Sequence, residues 1–120
     1  MRKFASSAEG TAAVEFAFVM PAFLALVVGT LAASILLYSN VSLQKAVEAG
    51  ARCFSVSATQ CGSASAAQTY AQGQYHGINS PTFTASTPSC GHQVVGTVTI
   101  QIEAVLTNLS LPLSATSCFP

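Results

Sequence analysis

Glu15 is the only residue charged at neutral pH between Thr11 and Tyr38. A carboxylate at the edge of so apolar a run is costly to hold away from water, more so the deeper it lies, so something must stabilise it. One solution is passive: near the N-terminus of a helix the backbone dipole favours negative charge. The other begins with a cut between Gly10 and Thr11, which creates an α-amino group four residues before Glu15. An ammonium and a carboxylate at i and i+4 can pair along one helix. In an assembly the carboxylate can instead reach the amine of a neighbouring copy, where low dielectric strengthens the attraction. Gly10 and Thr11 are thus the candidate processing site, and Glu15 the candidate ion-pair residue.

The other reactive groups lie later. Cys53, Cys61, Cys90 and Cys118 all follow the apolar run and none precedes it. An even count in a small extramembrane domain points to disulfides and to an oxidising compartment such as the periplasm. Three pairings are open to four cysteines. Cys53 with Cys61 and Cys90 with Cys118 is favoured, because each closes a local loop, contributing roughly 2.5 to 3.5 kcal/mol in the chain-entropy model. A catalytic thiolate needs a depressed pKa and a nearby base, and His76 and His92 are the only histidines. Cys90-Gly91-His92 has no second ligand pair at zinc-site spacing. There is no glycine-rich phosphate loop and no nucleophile elbow, so no enzymatic activity, metal or cofactor is expected. Asn40-Val41-Ser42 and Asn108-Leu109-Ser110 match the glycosylation pattern, which is short enough to arise by chance. Four basic and four acidic residues give a formal net charge of zero, so the basic stripe that nucleic acid demands is missing.

The elements that must position these groups begin with the uncharged block from Phe16 to Tyr38. A bilayer core of about 30 Å needs about 20 apolar residues of helix, and this block is longer. Residues 39–120 could not wrap a helix that is apolar on every side, so the block reads as transmembrane. Arg2 and Lys3 precede it and Lys45 and Arg52 follow it, which leaves the positive-inside count tied. The cysteines place the N-terminus in the cytoplasm and the C-terminal part in the periplasm. Residues 1–10, basic at the start and then polar, read as a leader. Residues 11–40 read as the transmembrane helix, predicted to kink at Pro21, which removes a backbone donor and clashes with the preceding turn. Residues 41–120 read as the outer domain.

Within that domain Leu43, Val47, Gly50 and Phe54 draw one helical stripe, with Lys45, Glu48 and Arg52 off it as a solvated face. A second helix is expected from Ala64 to His76, capped by Ser63 and ended by Gly77, with Ala67, Tyr70, Ala71 and Gln74 on one face. From Val94 to Leu106 apolar residues recur with the two-residue period of a half-buried strand. A turn is expected at Thr107 and Asn108. Leu109, Leu111 and Leu113 then alternate with Ser110, Pro112 and Ser114, and Pro112 confines this strand to an edge. A weaker strand is expected at Thr82 to Thr87. The fold class is α+β: a long N-terminal transmembrane helix continuing into a small domain with a short helix and an antiparallel sheet.

Gly10 followed by four residues and then Glu15-Phe16, opening an apolar helix, resembles the prepilin-peptidase site of type IV pilins. Ala13-Val14-Glu15-Phe16-Ala17, with Pro21 soon after, is similar to the TadE-like pseudopilins of Tad-type (type IVb) pilus assembly. So is Ala46-Val47-Glu48-Ala49-Gly50-Ala51-Arg52. The resemblance covers about the first 55 residues. It implies that Gly10 and Thr11 flank a scissile bond and that Glu15 is the fifth residue of the mature chain. It also implies partners: a membrane prepilin peptidase, a major pilin and other minor pseudopilins, inner-membrane platform proteins and a cytoplasmic assembly ATPase. The residues after Phe54 exceed what a very short major pilin carries, which implies a minor, pilin-like component.

Two other readings stay open. Leu31-Ala32-Ala33 could serve as a signal-peptidase site, although Glu9 and Glu15 make a poor n-region. Alternatively, a single-pass anchor could carry a periplasmic binding or interaction domain unrelated to pili, which would require neither Gly10 nor Glu15.

Overall fold

The computed structural model describes the backbone of residues 2–103 and 107–120, with side chains from residue 10 onward. Two helices precede three strands: α1 (Arg2–Val56), α2 (Ala64–Gln74), β1 (Thr82–Ser86), β2 (His92–Glu103) and β3 (Asn108–Phe119). The expected α+β class is the one observed. The helix starts at Arg2 and not at Thr11. Nothing in residues 2–10 obliges it to stop, and Gly10 alone costs a helix about 1 kcal/mol relative to Ala. Pro21 lies inside α1, and helix continues on both sides of it.

The chain divides into two compact units, Met1–Ser34 and Ile35–Pro120. The first is helical, and its apolar side chains, Phe16, Phe18, Val19, Phe23 and Leu26 among them, are exposed. The candidate membrane span, Gly10–Val56, contains a window of mean hydropathy 2.3, none of it buried. A core helix is covered by its own chain; this window is not. It is long and apolar enough to cross a membrane.

The second unit is a three-stranded antiparallel sheet, ordered β1-β2-β3, packed with α2 and with residues 35–56 of α1. Its core joins Leu43, Ala46, Val47 and Ala51 of α1 to Ala67 and Ala71 of α2. Phe83, Val94, Val98 and Ile100 close it from the sheet. Small residues set the spacing. A Cβ added at Gly50 would lie 2.8 Å from that of Ala71, and one at Gly96 would lie 2.7 Å from both Phe83 and Val47. The predicted stripe on α1 is therefore buried because two neighbours approach it at once. Along β2 the burial alternates from Val94 to Ile100, as the two-residue period requires.

Three boundaries differ from expectation. Ser63 caps α2 by accepting from the Ala66 N–H, but the helix ends at Gln74 and its C-cap is Tyr75, not Gly77. There the Tyr75 N–H turns to the Gln72 carbonyl and the His76 N–H to Ser42 on α1. Asn108 is not a turn residue: it opens β3, paired with Glu103. Ala104, Val105 and Leu106, expected to continue the strand, lie outside the described residues. Finally, β3 runs on to Phe119 as the full-length partner of β2. It is an edge strand, as Pro112 demands.

Candidate functional site

The residues around the candidate junction lie on one continuous helix. Gly10, Thr11, Glu15 and Pro21 are all in α1 and all exposed. The space beside Gly10 is open: an added Cβ would meet nothing within 4 Å. Helical periodicity puts Glu15 one turn after Thr11, on the same side. With residues 1–10 attached, the nitrogen of Thr11 is a peptide amide and carries no charge, so the arrangement can form an ion pair only after a cut. From Phe16 to Tyr38 the helix is free of charge, which isolates the carboxylate at one border of the apolar run.

In the second unit both disulfides join cysteines adjacent in sequence. Cys53 binds Cys61, with Cα atoms 5.7 Å apart, and Cys90 binds Cys118, with Cα atoms 6.3 Å apart. The first ties the end of α1 to the loop leading into α2; the second ties the approach to β2 to the end of β3. No thiol is left free among the described residues. Nor do three or more His, Cys, Asp or Glu side chains gather there to hold a metal ion. His76 is exposed. His92 is half-buried edge-on to Phe54, ring centroids 4.6 Å apart, and its buried Nδ1 has no hydrogen-bond partner.

An open cavity of about 490 Å³ is bordered by Lys45, Glu48, Arg52 and Cys53 of α1, Gln60 of the following loop and Tyr70 of α2. It holds charges of both signs beside a disulfide, an arrangement suited to a polar contact and not to enclosing a small apolar ligand.

A polar clamp that the sequence reading missed holds the loop between α2 and β1. The Ser39 side chain is fully buried and Ser42 is nearly so. Ser42 Oγ accepts from the His76 N–H at 2.8 Å, and Ser39 Oγ from the Ile78 N–H at 3.4 Å. Tyr75 donates its hydroxyl to the Ile78 carbonyl at 2.7 Å. Asn79, in the left-handed region at φ 62°, donates its side-chain amide to the Thr99 carbonyl at 2.7 Å. Burial pushes the Tyr75 hydroxyl up from its ordinary pKa of 10.0, and a hydrogen bond with Ser39 partly opposes that. The signal was present in the chain: Ser39, Ser42, Leu43 and Val47 share one helical face, so two serines stand in a stripe meant for the core.

Among known proteins, the family model described as TadE-like protein matches residues 10–52. The match opens at Gly10, takes in Glu15, Pro21 and the whole apolar run, and closes one residue before Cys53. No curated protein and no solved structure matches the chain. Across residues 10–52, within the helix that carries Glu15, the chain is similar to the TadE-like family.

Proposed function

We propose that this chain is a minor pilin-like component, a pseudopilin, for assembly of a Tad-type pilus or a related secretion apparatus. A prepilin peptidase removes residues 1–10 by cutting between Gly10 and Thr11. The new α-amino group becomes the counter-ion of Glu15, on the same chain or on a neighbouring pilin-like helix. The apolar helix spans the inner membrane with its N-terminus cytoplasmic, and the disulfide-bonded unit faces the periplasm. The protein acts by packing and not by catalysis. Its partners are the peptidase, a major pilin and other pseudopilins, platform proteins and an assembly ATPase.

One observation carries this reading. The TadE-like match begins at Gly10 and runs through Glu15 into an apolar window of α1 whose side chains are left unburied. Such side chains need lipid or other helices around them. Gly10 supports the cut on separate grounds. A peptidase needs an unwound segment, and glycine is the residue, apart from proline, that a helix holds least well.

The test is the N-terminal residue of the protein recovered from membranes. A start at Thr11 is expected. A start near Ser34 would mean conventional secretion, and an intact Met1 a simple anchor. The open cavity beside Lys45, Glu48 and Arg52 favours a second reading, an anchored interaction domain unrelated to pili, which predicts the intact Met1.

A further inference from the structure

Within the unit Ile35–Pro120, three contacts show which way the sheet runs along the helix. His92 opens β2 against Phe54, Gly96 lies against Val47 and Leu43, and Thr99 reaches Ser39 through Asn79 and the neighbouring Ile78. Each strand residue thus moves about two residues back along α1, as rises of about 3.3 Å and 1.5 Å require. Three residues further, about 10 Å, brings Ile102 and its cross-strand partner Leu109 to the Ile35 end of the unit.

That end carries apolar side chains that the unit leaves uncovered, interleaved with the polar Gln101, Asn108 and Ser110. The ladder Val98–Leu113, Ile100–Leu111 and Ile102–Leu109 lies on the helix-facing side of the sheet. Its cover fails toward the end: Ile100 is fully buried, Ile102 is half-buried and Leu109 is 52% exposed. Ile35, Leu37 and Tyr38 on α1 and Ile78 in the loop are exposed at the same end. Of the four charged side chains in this unit, Lys45, Glu48 and Arg52 lie further along α1, and only Glu103 is here. The chain leaves this end directly into the apolar run of α1.

We infer that this end of the outer unit is a lipid-contacting face: Leu109 and Ile78, with Tyr38, rest in the headgroup and acyl boundary of the bilayer that α1 crosses. The inference rests on the membrane-spanning reading of α1. Its occupant is lipid because the helix passing through the patch is itself the lipid-exposed element. A tyrosine at its border suits the interfacial layer. Glu103 sets the depth, because its carboxylate stays in headgroup water and keeps the strand ends from sinking into the hydrocarbon. The contact fixes how the outer unit stands on the membrane, and so which face it turns to neighbours.

The chain contains no tryptophan, so one introduced residue reports alone. Full-length Leu109→Trp, Phe23→Trp and Gln60→Trp are reconstituted in phosphatidylcholine vesicles whose acyl chains carry bromine at shallow or deep positions. Phe23→Trp should be quenched most by deep bromine. Leu109→Trp should emit at shorter wavelength than Gln60→Trp and lose most of its intensity to shallow bromine, while Gln60→Trp is unaffected. If Leu109→Trp behaves like Gln60→Trp while Phe23→Trp is quenched, the lipid contact is wrong and the spanning helix stands. If Phe23→Trp is also unquenched, the spanning reading fails and takes the inference with it. Should Leu109→Trp lose native circular dichroism, Ile78→Trp at the same end is the second reporter, with the same expected and overturning results.

Discussion

The backbone N–H of His76 donates to the hydroxyl of Ser42 over 2.8 Å, joining the end of α2 to a helix 34 residues earlier. The bond is part-buried: Ser42 is nearly buried, whereas His76 is exposed. Losing such a hydrogen bond costs about 0.5 to 1.5 kcal/mol. Ser42→Ala should therefore lower the stability of the outer unit by that amount in urea unfolding. Ser55→Ala, which loses only the exposed contact with the Pro120 carbonyl, should cost much less. Equal losses for the two would show that the clamp is not what holds the loop.

The two disulfides close loops of different length, with sequence separations of 8 and 28. In the chain-entropy model these lengths correspond to about 2.5 and about 3.6 kcal/mol. Replacing Cys90 and Cys118 by Ser should therefore destabilise the unit about 1 kcal/mol more than replacing Cys53 and Cys61. Denaturant titrations of the two double variants measure the difference directly. A reversed order would mean that the link at the end of α1 organises more of the native state than its short loop implies.

Much of this was legible because the patterns are local. Leu43 and Val47 fall on a helical period, Val94 to Ile102 on a strand period, and Ser63 stands where an N-cap should, so each element could be located from its own residues. The cysteines paired as neighbours, which loop closure favours. What was not legible depended on distant partners. The helix α2 stops at Gln74, where the Tyr75 N–H turns to the Gln72 carbonyl and the His76 N–H to Ser42 of α1, and Gly77 is not its cap. The strand β3 continues past Ser114 through Ala115 to Phe119 because β2 and the Cys90–Cys118 bridge hold it there. At the junction the reverse applies. Gly10, Thr11 and Glu15 were visible in the sequence, and the fold adds only that they share one exposed helix, because under the proposed processing the α-amine that would pair with Glu15 exists only after a cut.

Tyr75 gives the outer unit a pH dependence on the alkaline side. Burial raises its pKa above the ordinary 10.0 of the unfolded chain. The folded state then holds the proton more tightly, so this contribution is complete below pH 10.0 and is lost as pH rises through the folded value. Wild-type stability should fall as pH rises above 10.0, with tyrosinate absorbance growing as the unit opens. Tyr75→Phe should be less stable at pH 7, since the bond to the Ile78 carbonyl is gone, but its alkaline decline should be shallower. A parallel decline in both proteins would assign the effect to other groups.

Under the proposed function, a change at Glu15 should affect assembly and not folding. Glu15 lies in Met1–Ser34, whereas the core, both disulfides and the serine clamp lie in Ile35–Pro120. Glu15→Gln keeps the shape and hydrogen-bonding capacity of the side chain and removes only its charge. If the carboxylate serves as counter-ion to the α-amine of Thr11, the variant should still be cleaved after Gly10 and should still form both disulfides. Its incorporation into the assembly should fall by tenfold or more, the scale expected when a charge pair in low dielectric loses one member. Immunoblots of the cleaved chain in membrane and assembled fractions distinguish the two steps. Normal incorporation of Glu15→Gln would mean that the acid is merely tolerated beside the helix dipole and bonds to no amine.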